Sequence, residues 1–140
     1  MILSLGVYDV PYTESNETTG DVAEMLEARY NVMGTFYEMK GAEITQAIES
    51  SIAGAITNLM AGAPMHGIAA FAEAESEIGS LFRKFLDDKE IEGHTSPGTS
   101  PTKAALDGVN HRLKIKKGPR RPSFIDTGLY QQSFVAEIKE

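Results

Sequence analysis

The hydrophobic and polar positions along the chain predict two long amphipathic helices. In the first, residues 42–62, apolar side chains recur at helical spacing and polar side chains occupy the opposite face. The apolar stripe consists of Ile44, Ile48, Ile52, Ala55, Ile56, Leu59 and Met60. This length corresponds to about five turns. Gly62 and Pro64 predict the end of the helix.

A second helical pattern runs from about Ile68 to Lys89. Its apolar face consists of Phe71, Ala74, Ile78, Leu81, Phe82, Phe85 and Leu86. Glycine commonly follows the last turn of a helix, so the C-terminal cap is expected near Gly93. Two amphipathic helices of this kind must bury their apolar faces against each other or against a sheet.

A shorter helix is predicted ahead of these two. Thr18 precedes Asp21 by three residues, which is a loose capping-box arrangement. Apolar residues follow at helical spacing. We expect this helix to end between Asn31 and Gly34.

Strand patterns occur near both ends of the chain. Residues 2–10 are rich in Ile, Leu, Val and Tyr and stop at Pro11, which is typical of a strand near a sheet edge. Residues 134–138 alternate between apolar and polar positions and are expected to pair with the first strand. The predicted fold class is α+β: two long amphipathic helices packed on a small, mainly antiparallel β-sheet, with an extended basic loop.

Length and composition are those of one folded domain of 140 residues. The chain is 41% hydrophobic and 24% charged, which is ordinary for a globular protein. It has no cysteine, so disulfides, thiolate zinc sites and cysteine catalysis are excluded. The first twelve residues lack the basic region of a signal peptide, and no apolar run reaches about 18 residues. We therefore expect synthesis in the cytoplasm and no membrane partner.

The net charge of −7 conceals parts of different sign. Residues 1–92 form an acidic body with 16 acidic and five basic side chains. Residues 93–123 form a basic loop or arm, in which a brief helix is predicted at residues 101–108. Residues 124–140 contain an Asp-Thr-Gly turn and the C-terminal strand.

The basic arm supplies the best candidates for binding. They are Arg112, Lys114, Lys116, Lys117, Arg120 and Arg121. Such side chains can bind nucleic-acid phosphates without sequence specificity, or they can meet the acidic face of a neighbouring copy. Phe124 is the only aromatic residue nearby, so the pattern does not indicate a base-stacking platform. Leu113 and Ile115 alternate with basic residues, as in a half-buried strand edge or an extended arm.

The stretch FIDTGLYQQS, residues 124–133, contains the triplet by which aspartic proteases present their catalytic carboxylate. That chemistry needs two carboxylates sharing one proton. The chain has a single triplet, Asp126-Thr127-Gly128, and only 12 residues follow it. A protease would therefore have to be a dimer with an unusual fold. The pattern favours a structural turn in which Asp126 caps the short helix that follows.

No other residues form a convincing catalytic or metal-binding constellation. The three histidines are far apart in the sequence, and Glu73, Glu75 and Glu77 point in different directions along a helix. We predict no catalytic residue, no cofactor and no metal site, and the protein is not expected to be an enzyme.

Several short elements follow one another in a characteristic order. They are Tyr12, Thr18-Thr19-Gly20, Val22-Ala23-Glu24, Ser100-Pro101-Thr102-Lys103, Lys116-Lys117-Gly118 and the stretch RPSFIDTGLYQQSF at residues 121–134. In this order they resemble the virion morphogenesis family of tailed bacteriophages, small neck or tail-completion proteins of the head–tail junction. Leu26–Tyr30 and Thr35–Tyr37 depart from the segments usual in that family.

The resemblance implies a structural protein of the phage neck that assembles as a ring and helps to join the DNA-filled head to the tail. Its implied partners are other copies of itself, neighbouring portal or adaptor proteins, tail-terminator proteins and packaged DNA. Its implied location is the virion, after synthesis in a bacterial host, and the Asp126-Thr127-Gly128 turn is implied to be structural or part of an interface. From the residues alone, a small nucleic-acid-binding module using residues 111–121 stays open as the alternative.

Overall fold

The computed structural model of the chain has five helices and two strands within its described residues. These residues are 1–13, 15–64, 70–92, 94, 103–108, 114–120, 124–125 and 128–139. The elements, in order, are β1 (Ile2–Val7), α1 (Thr19–Tyr30), α2 (Val32–Met60), α3 (Ala72–Asp87), α4 (Lys103–Leu106), α5 (Leu129–Ser133) and β2 (Phe134–Lys139). The α+β fold class and the two long helices predicted from the sequence are confirmed.

The first helix, α1, begins with the predicted capping box. The backbone N–H of Thr18 donates to the carboxylate of Asp21 at 2.9 Å, and the N–H of Asp21 donates to the hydroxyl of Thr18 at 3.3 Å. Asn31 adopts a left-handed conformation with φ of 50°, and its N–H donates to the carbonyl oxygen of Glu27. This conformation stops α1 at Tyr30, one residue before the predicted interval, and Asn31 is the C-cap.

The second helix, α2, starts at Val32, ten residues before the start that the apolar stripe predicted. Its first turn is stabilised by Glu27 of α1, whose carboxylate accepts from the N–H groups of Met33 at 2.9 Å and Gly34 at 3.1 Å. This cap comes from a neighbouring helix and leaves no mark in the local sequence. A kink at Lys40, with φ of −108°, separates residues 32–39 from the part of the helix that the apolar stripe predicted.

The third helix, α3, is confirmed but ends earlier than expected. The N–H of Asp88 at the C-cap donates to the carbonyl oxygen of Lys84 at 2.8 Å. Lys89 has φ of 60° and takes the left-handed conformation that glycine usually supplies. The C-cap thus lies five residues before Gly93, near which the pattern predicted it, and Gly93 itself lies outside the described residues. Every helix in the described ranges is too short or too polar to cross a lipid bilayer.

The predicted pairing of the two terminal strands is confirmed. β1 and β2 are antiparallel, in a register that pairs Ile2 with Lys139 and Val7 with Phe134. β1 stops at Val7, three residues short of the predicted strand end. On the side of β2 away from β1, the N–H of Ile138 donates to the carboxylate of Glu75 at 2.8 Å. The carboxylate of Glu75 thus accepts a hydrogen bond from a backbone N–H that would otherwise be unpaired at the sheet edge.

The core lies where α2, α3 and the sheet meet. Phe36 of α2 contacts Phe82 and Phe85 of α3, with ring centroids 5.2 and 5.5 Å apart. Phe134 at the start of β2 completes the cluster at 6.0 Å from Phe36. All four rings are buried. Edge-to-face and stacked aromatic contacts of this kind add to the stabilisation from apolar burial, which is the main force holding the two layers together.

Candidate interaction surfaces

Four of the six residues predicted for binding lie on an exposed segment that the structure describes. Residues 114–120, which we call the basic segment, carry exposed side chains at Lys114, Lys116 and Lys117. Ile115 stands among them with 42% of its surface exposed. In the part of the chain that the structure describes, none of these lysines forms an ion pair. Arg112 and Arg121 lie outside that part.

One contact joins the basic segment to the residues after α3, and two join it to the residues after α4. Arg120 forms an ion pair with the largely buried carboxylate of Glu92. The N–H of Gly118 donates to the carbonyl oxygen of Asp107 at 3.1 Å. Gly108, with φ of 65°, packs so closely on the backbone of Gly118 that a β-carbon would overlap it. Arg120 is therefore engaged within the chain, whereas the lysines point to solvent.

A second surface lies at the far end of α2. Ser51 is the last buried residue of this helix, and its hydroxyl donates to the carbonyl oxygen of Ala70 at 2.6 Å. Residues 52–60, which we call the α2 end, extend about 13 Å beyond this contact at 1.5 Å per residue. Exposure there reaches 52% at Ile56, 53% at Leu59 and 83% at Met60. The apolar stripe predicted from the sequence is therefore buried only in its first half.

The α2 end belongs to a long stretch of sequence in which the acidic side chains are not accompanied by lysine or arginine. Residues 41–82 contain no lysine or arginine. Their acidic side chains are Glu43, Glu49, Glu73, Glu75 and Glu77. Glu49 lies one turn before the α2 end, and Glu73 lies one turn after Ala70, which contacts Ser51; both glutamates are exposed. An exposed apolar stripe is thus flanked by carboxylates without compensating cations.

The two surfaces lie at opposite ends of the α2–α3 helix pair. Ala70, just before α3, meets the base of the α2 end, whereas Glu92, just after α3, binds the basic segment. α3 has 16 residues, which corresponds to a length of about 24 Å. The antiparallel pairing of α2 and α3 therefore separates the α2 end from the basic segment by roughly that distance.

The described part of the Asp-Thr-Gly stretch packs into the body. Gly128, with φ of 82°, occupies the N-cap of α5, and Tyr130, Gln131 and Ser133 are buried. The side-chain amide of Gln131 donates to the carbonyl oxygen of Arg83 at 2.8 Å and to Asp87 at 3.0 Å. These residues join the C-terminal strand to α3. Asp126 and Thr127 lie outside the described residues, so the predicted cap by Asp126 stays a prediction.

Burial raises the pKa of the Tyr130 phenol far above its ordinary value, with a smaller contribution from the carboxylate of Glu27. Lys40 lies 2.7 Å from Glu90, and the hydrogen bond with this carboxylate raises the pKa of its ammonium group. The Lys40–Glu90 ion pair joins α2 to the residues that follow α3. Among the described residues, no three His, Asp or Glu side chains come together as a metal would require.

The chain matches no known family model, no curated protein sequence and no solved structure. Of the two surfaces, the sequence predicted the basic one from its charge. It missed the α2 end because helical periodicity identifies an apolar face without telling whether another element covers it. The absence of lysine and arginine from residues 41–82 was the available signal.

Proposed function

We propose that the protein is a structural, non-enzymatic component of a bacteriophage neck that assembles as a ring at the head–tail junction. The observation that carries this proposal is the pair of unlike surfaces at opposite ends of the α2–α3 pair. Closed rings are built from heterologous contacts, in which one face of a subunit meets a different face of the next. The apolar α2 end, with Glu49 and Glu73 beside it, and the basic segment satisfy that requirement.

The order of short elements along the chain, which resembles phage virion morphogenesis proteins, supports the location. It also supports the choice of partners: further copies of the chain, portal or adaptor proteins on one side and tail-terminator proteins on the other. The buried contacts of Tyr130 and Gln131 support a structural role for the last part of the Asp-Thr-Gly stretch.

The test is electron microscopy of lysates from a phage in which this reading frame is interrupted. We expect DNA-filled heads to accumulate beside unattached tails, and joined particles to return when the intact chain is supplied from a plasmid. Joined particles at the normal frequency without the protein would refute the proposal. Complementation with Lys114→Glu, Lys116→Glu and Lys117→Glu combined is expected to fail.

A second function, binding of nucleic acid, is favoured by the same three lysines, which are exposed and free of ion pairs in the described part of the chain. Because phosphate contacts release counterions, such binding weakens steeply as salt is raised. Retention of double-stranded DNA by the purified protein should then fall between low and physiological salt and should vanish in the triple variant. Retention that is insensitive to salt would contradict this mechanism.

A further inference from the structure

We propose that the α2 end of one copy docks on the basic segment of the next copy, with Ile115 packing on the stripe formed by Ile52, Ile56 and Leu59. This inference rests on the proposed ring function and specifies the contact that builds the ring. The occupant of the apolar stripe is thus a second copy of this chain.

The apolar part of the contact follows from exposure. The α2 end carries four large apolar side chains in one stripe, all exposed: Ile52, Ile56, Leu59 and Met60. Ile115 is the exposed apolar side chain between the lysines of the basic segment, and Leu106 of α4 is 47% exposed. Contiguous exposed apolar side chains rimmed by polar ones are typical of a protein–protein interface.

Charge decides which surface meets the α2 end. Glu49 and Glu73 flank the stripe, and residues 41–82 contain no lysine or arginine. On the other surface, Lys114 and Lys116 flank Ile115 on either side. Docking one surface on the other places an apolar centre inside a rim of opposite charges, which favours this pairing over others. Two α2 ends would instead bring like charges together.

Distance decides that the two surfaces belong to different copies. The basic segment is held near Glu92 by Arg120, about the length of α3 away from the base of the α2 end. Its own lysines therefore cannot reach its own α2 end while these contacts are in place. The contact joins one end of a copy to the opposite end of the next, which is the head-to-tail arrangement that a ring needs.

Cysteine cross-linking tests the contact directly, because the native chain has no cysteine. Ile56→Cys and Ile115→Cys chains, one carrying an epitope tag, are mixed in equal amounts at low salt and oxidised with copper–phenanthroline. Docking raises the effective concentration of the paired thiols by about a hundredfold or more over free encounter, so the mixed disulfide should dominate. The matched control replaces Ile56→Cys with Met25→Cys on α1, a site of similar exposure at 48%.

A second measurement uses sedimentation of full-length variants. Ile56→Glu removes the apolar surface, and Lys114→Glu, Lys116→Glu and Lys117→Glu combined remove the basic one. Each variant alone should remain monomeric. Their equimolar mixture should form dimers and stop there, because each pair of chains retains one intact contact.

The outcomes separate this contact from the ring proposal. If the wild-type chain and both variants assemble equally well, the contact is wrong and the ring must use other surfaces. Dominant Ile56→Cys homodimers would also overturn the contact, since they indicate pairing of two α2 ends. If the wild-type chain does not assemble at any concentration and the Ile56→Cys and Ile115→Cys chains form no mixed disulfide, the contact and the ring are refuted together.

Discussion

The ring of Phe82 in α3 lies face to face with the ring of Phe134 in β2, with centroids 3.9 Å apart and planes inclined by 15°. Both rings are buried, and Phe36 of α2 contacts each of them. This stacked pair joins the helical layer to the sheet, and the three aromatic residues come from three different elements. The integrity of the fold therefore depends strongly on this point of contact.

Replacing Phe82 with alanine is expected to lower the free energy of unfolding by about 3–5 kcal/mol, the usual effect of removing a buried aromatic ring. The cost combines lost apolar burial with the cavity left between α3 and β2. Urea denaturation followed by circular dichroism measures it. Tyr37→Ala, on the exposed face of α2, is the control and should change stability little. A loss below about 1 kcal/mol at Phe82 would contradict the central role of the cluster.

Thr19 is expected to be sensitive to the loss of its hydroxyl. The side chain is fully buried, and its Oγ1 donates to the carbonyl oxygen of Tyr8 at 2.5 Å and accepts from the N–H of Val10 at 2.8 Å. Thr19→Val preserves the shape of the side chain but leaves both backbone groups without this partner. The free energy of unfolding should therefore fall by about 1–3 kcal/mol. Thermal unfolding provides the measurement.

Thr45→Val is the matched control for this prediction. Thr45 Oγ1 donates to the carbonyl oxygen of Gly41 on the exposed side of α2, where water can replace the lost bond. The expected change is within about 0.5 kcal/mol. Equal effects at Thr19 and Thr45 would mean that the buried hydroxyl does not stabilise the connection between β1 and α1.

Tyr130→Phe is expected to stabilise the protein. The buried phenol has no hydrogen-bond partner within the described structure, so its removal should leave stability at neutral pH unchanged or higher by about 1 kcal/mol. Burial raises the pKa of this phenol in the folded state. Below pH about 10, tyrosine is protonated in both states. Above this pH, the phenol ionises more readily in the unfolded state than in the folded state. The free energy of unfolding therefore falls as the pH rises.

The pH dependence of the free energy of unfolding is measured by denaturant unfolding of the wild-type protein and Tyr130→Phe at pH 7 and between pH 10 and 11. The wild-type protein should lose stability over the alkaline range more steeply than Tyr130→Phe. Lys40 contributes to the alkaline loss in both proteins, because its pKa is also raised in the folded state. The difference between the two proteins therefore isolates Tyr130. Parallel pH profiles would show that this phenol ionises as easily in the folded state as in the unfolded state.

Gly108→Ala is expected to release the basic segment from the body. Gly108 has φ of 65°, and a β-carbon there would overlap the backbone of Gly118 and Pro119. Both the conformation and the close approach disfavour any other residue. Trypsin should then cut after Lys114, Lys116 or Lys117 faster than in the wild-type protein, because local opening exposes the backbone.

Gly54→Ala serves as the control for the release of the basic segment. Gly54 lies in α2 with open space at its β-carbon position. Alanine there should raise stability by about 0.5–1 kcal/mol, as expected for a glycine in a helix interior, and leave cleavage of the basic segment unchanged. Equal cleavage rates in Gly108→Ala and the wild-type protein would contradict the proposed anchoring.

Much of the fold was predictable because its signals are local. The Thr18–Asp21 capping box, the apolar face of α3 and the alternation in β2 all lie within a few residues of one another in sequence. The start of α2 was not predictable in this way. Gly34 and Gly41 disfavour a helix locally, and the compensation comes from the carboxylate of Glu27 and the burial of Phe36 against α3.

One of the two candidate surfaces was predictable from the sequence and the other was not. The basic side chains of residues 114–120 are visible in the sequence as charges, and the structure adds that Arg120 is bound to Glu92. The exposure of Ile56 and Leu59 depends on where α3 begins relative to α2, which is a property of the three-dimensional arrangement. Periodicity places apolar residues on one face but does not predict how far a partner helix reaches along it.

The pairing of β1 with β2 sets an order of events during synthesis. Val7 pairs with Phe134, so 126 residues emerge from the ribosome after β1 before its partner begins. Contacts of such high sequence separation form late and slow the folding of small domains. Until β2 arrives, Phe82 lacks its stacked neighbour and the nascent helices keep an uncovered aromatic face. A chain that stalls before residue 134 is therefore a candidate for chaperone binding, even though its long helices are already complete.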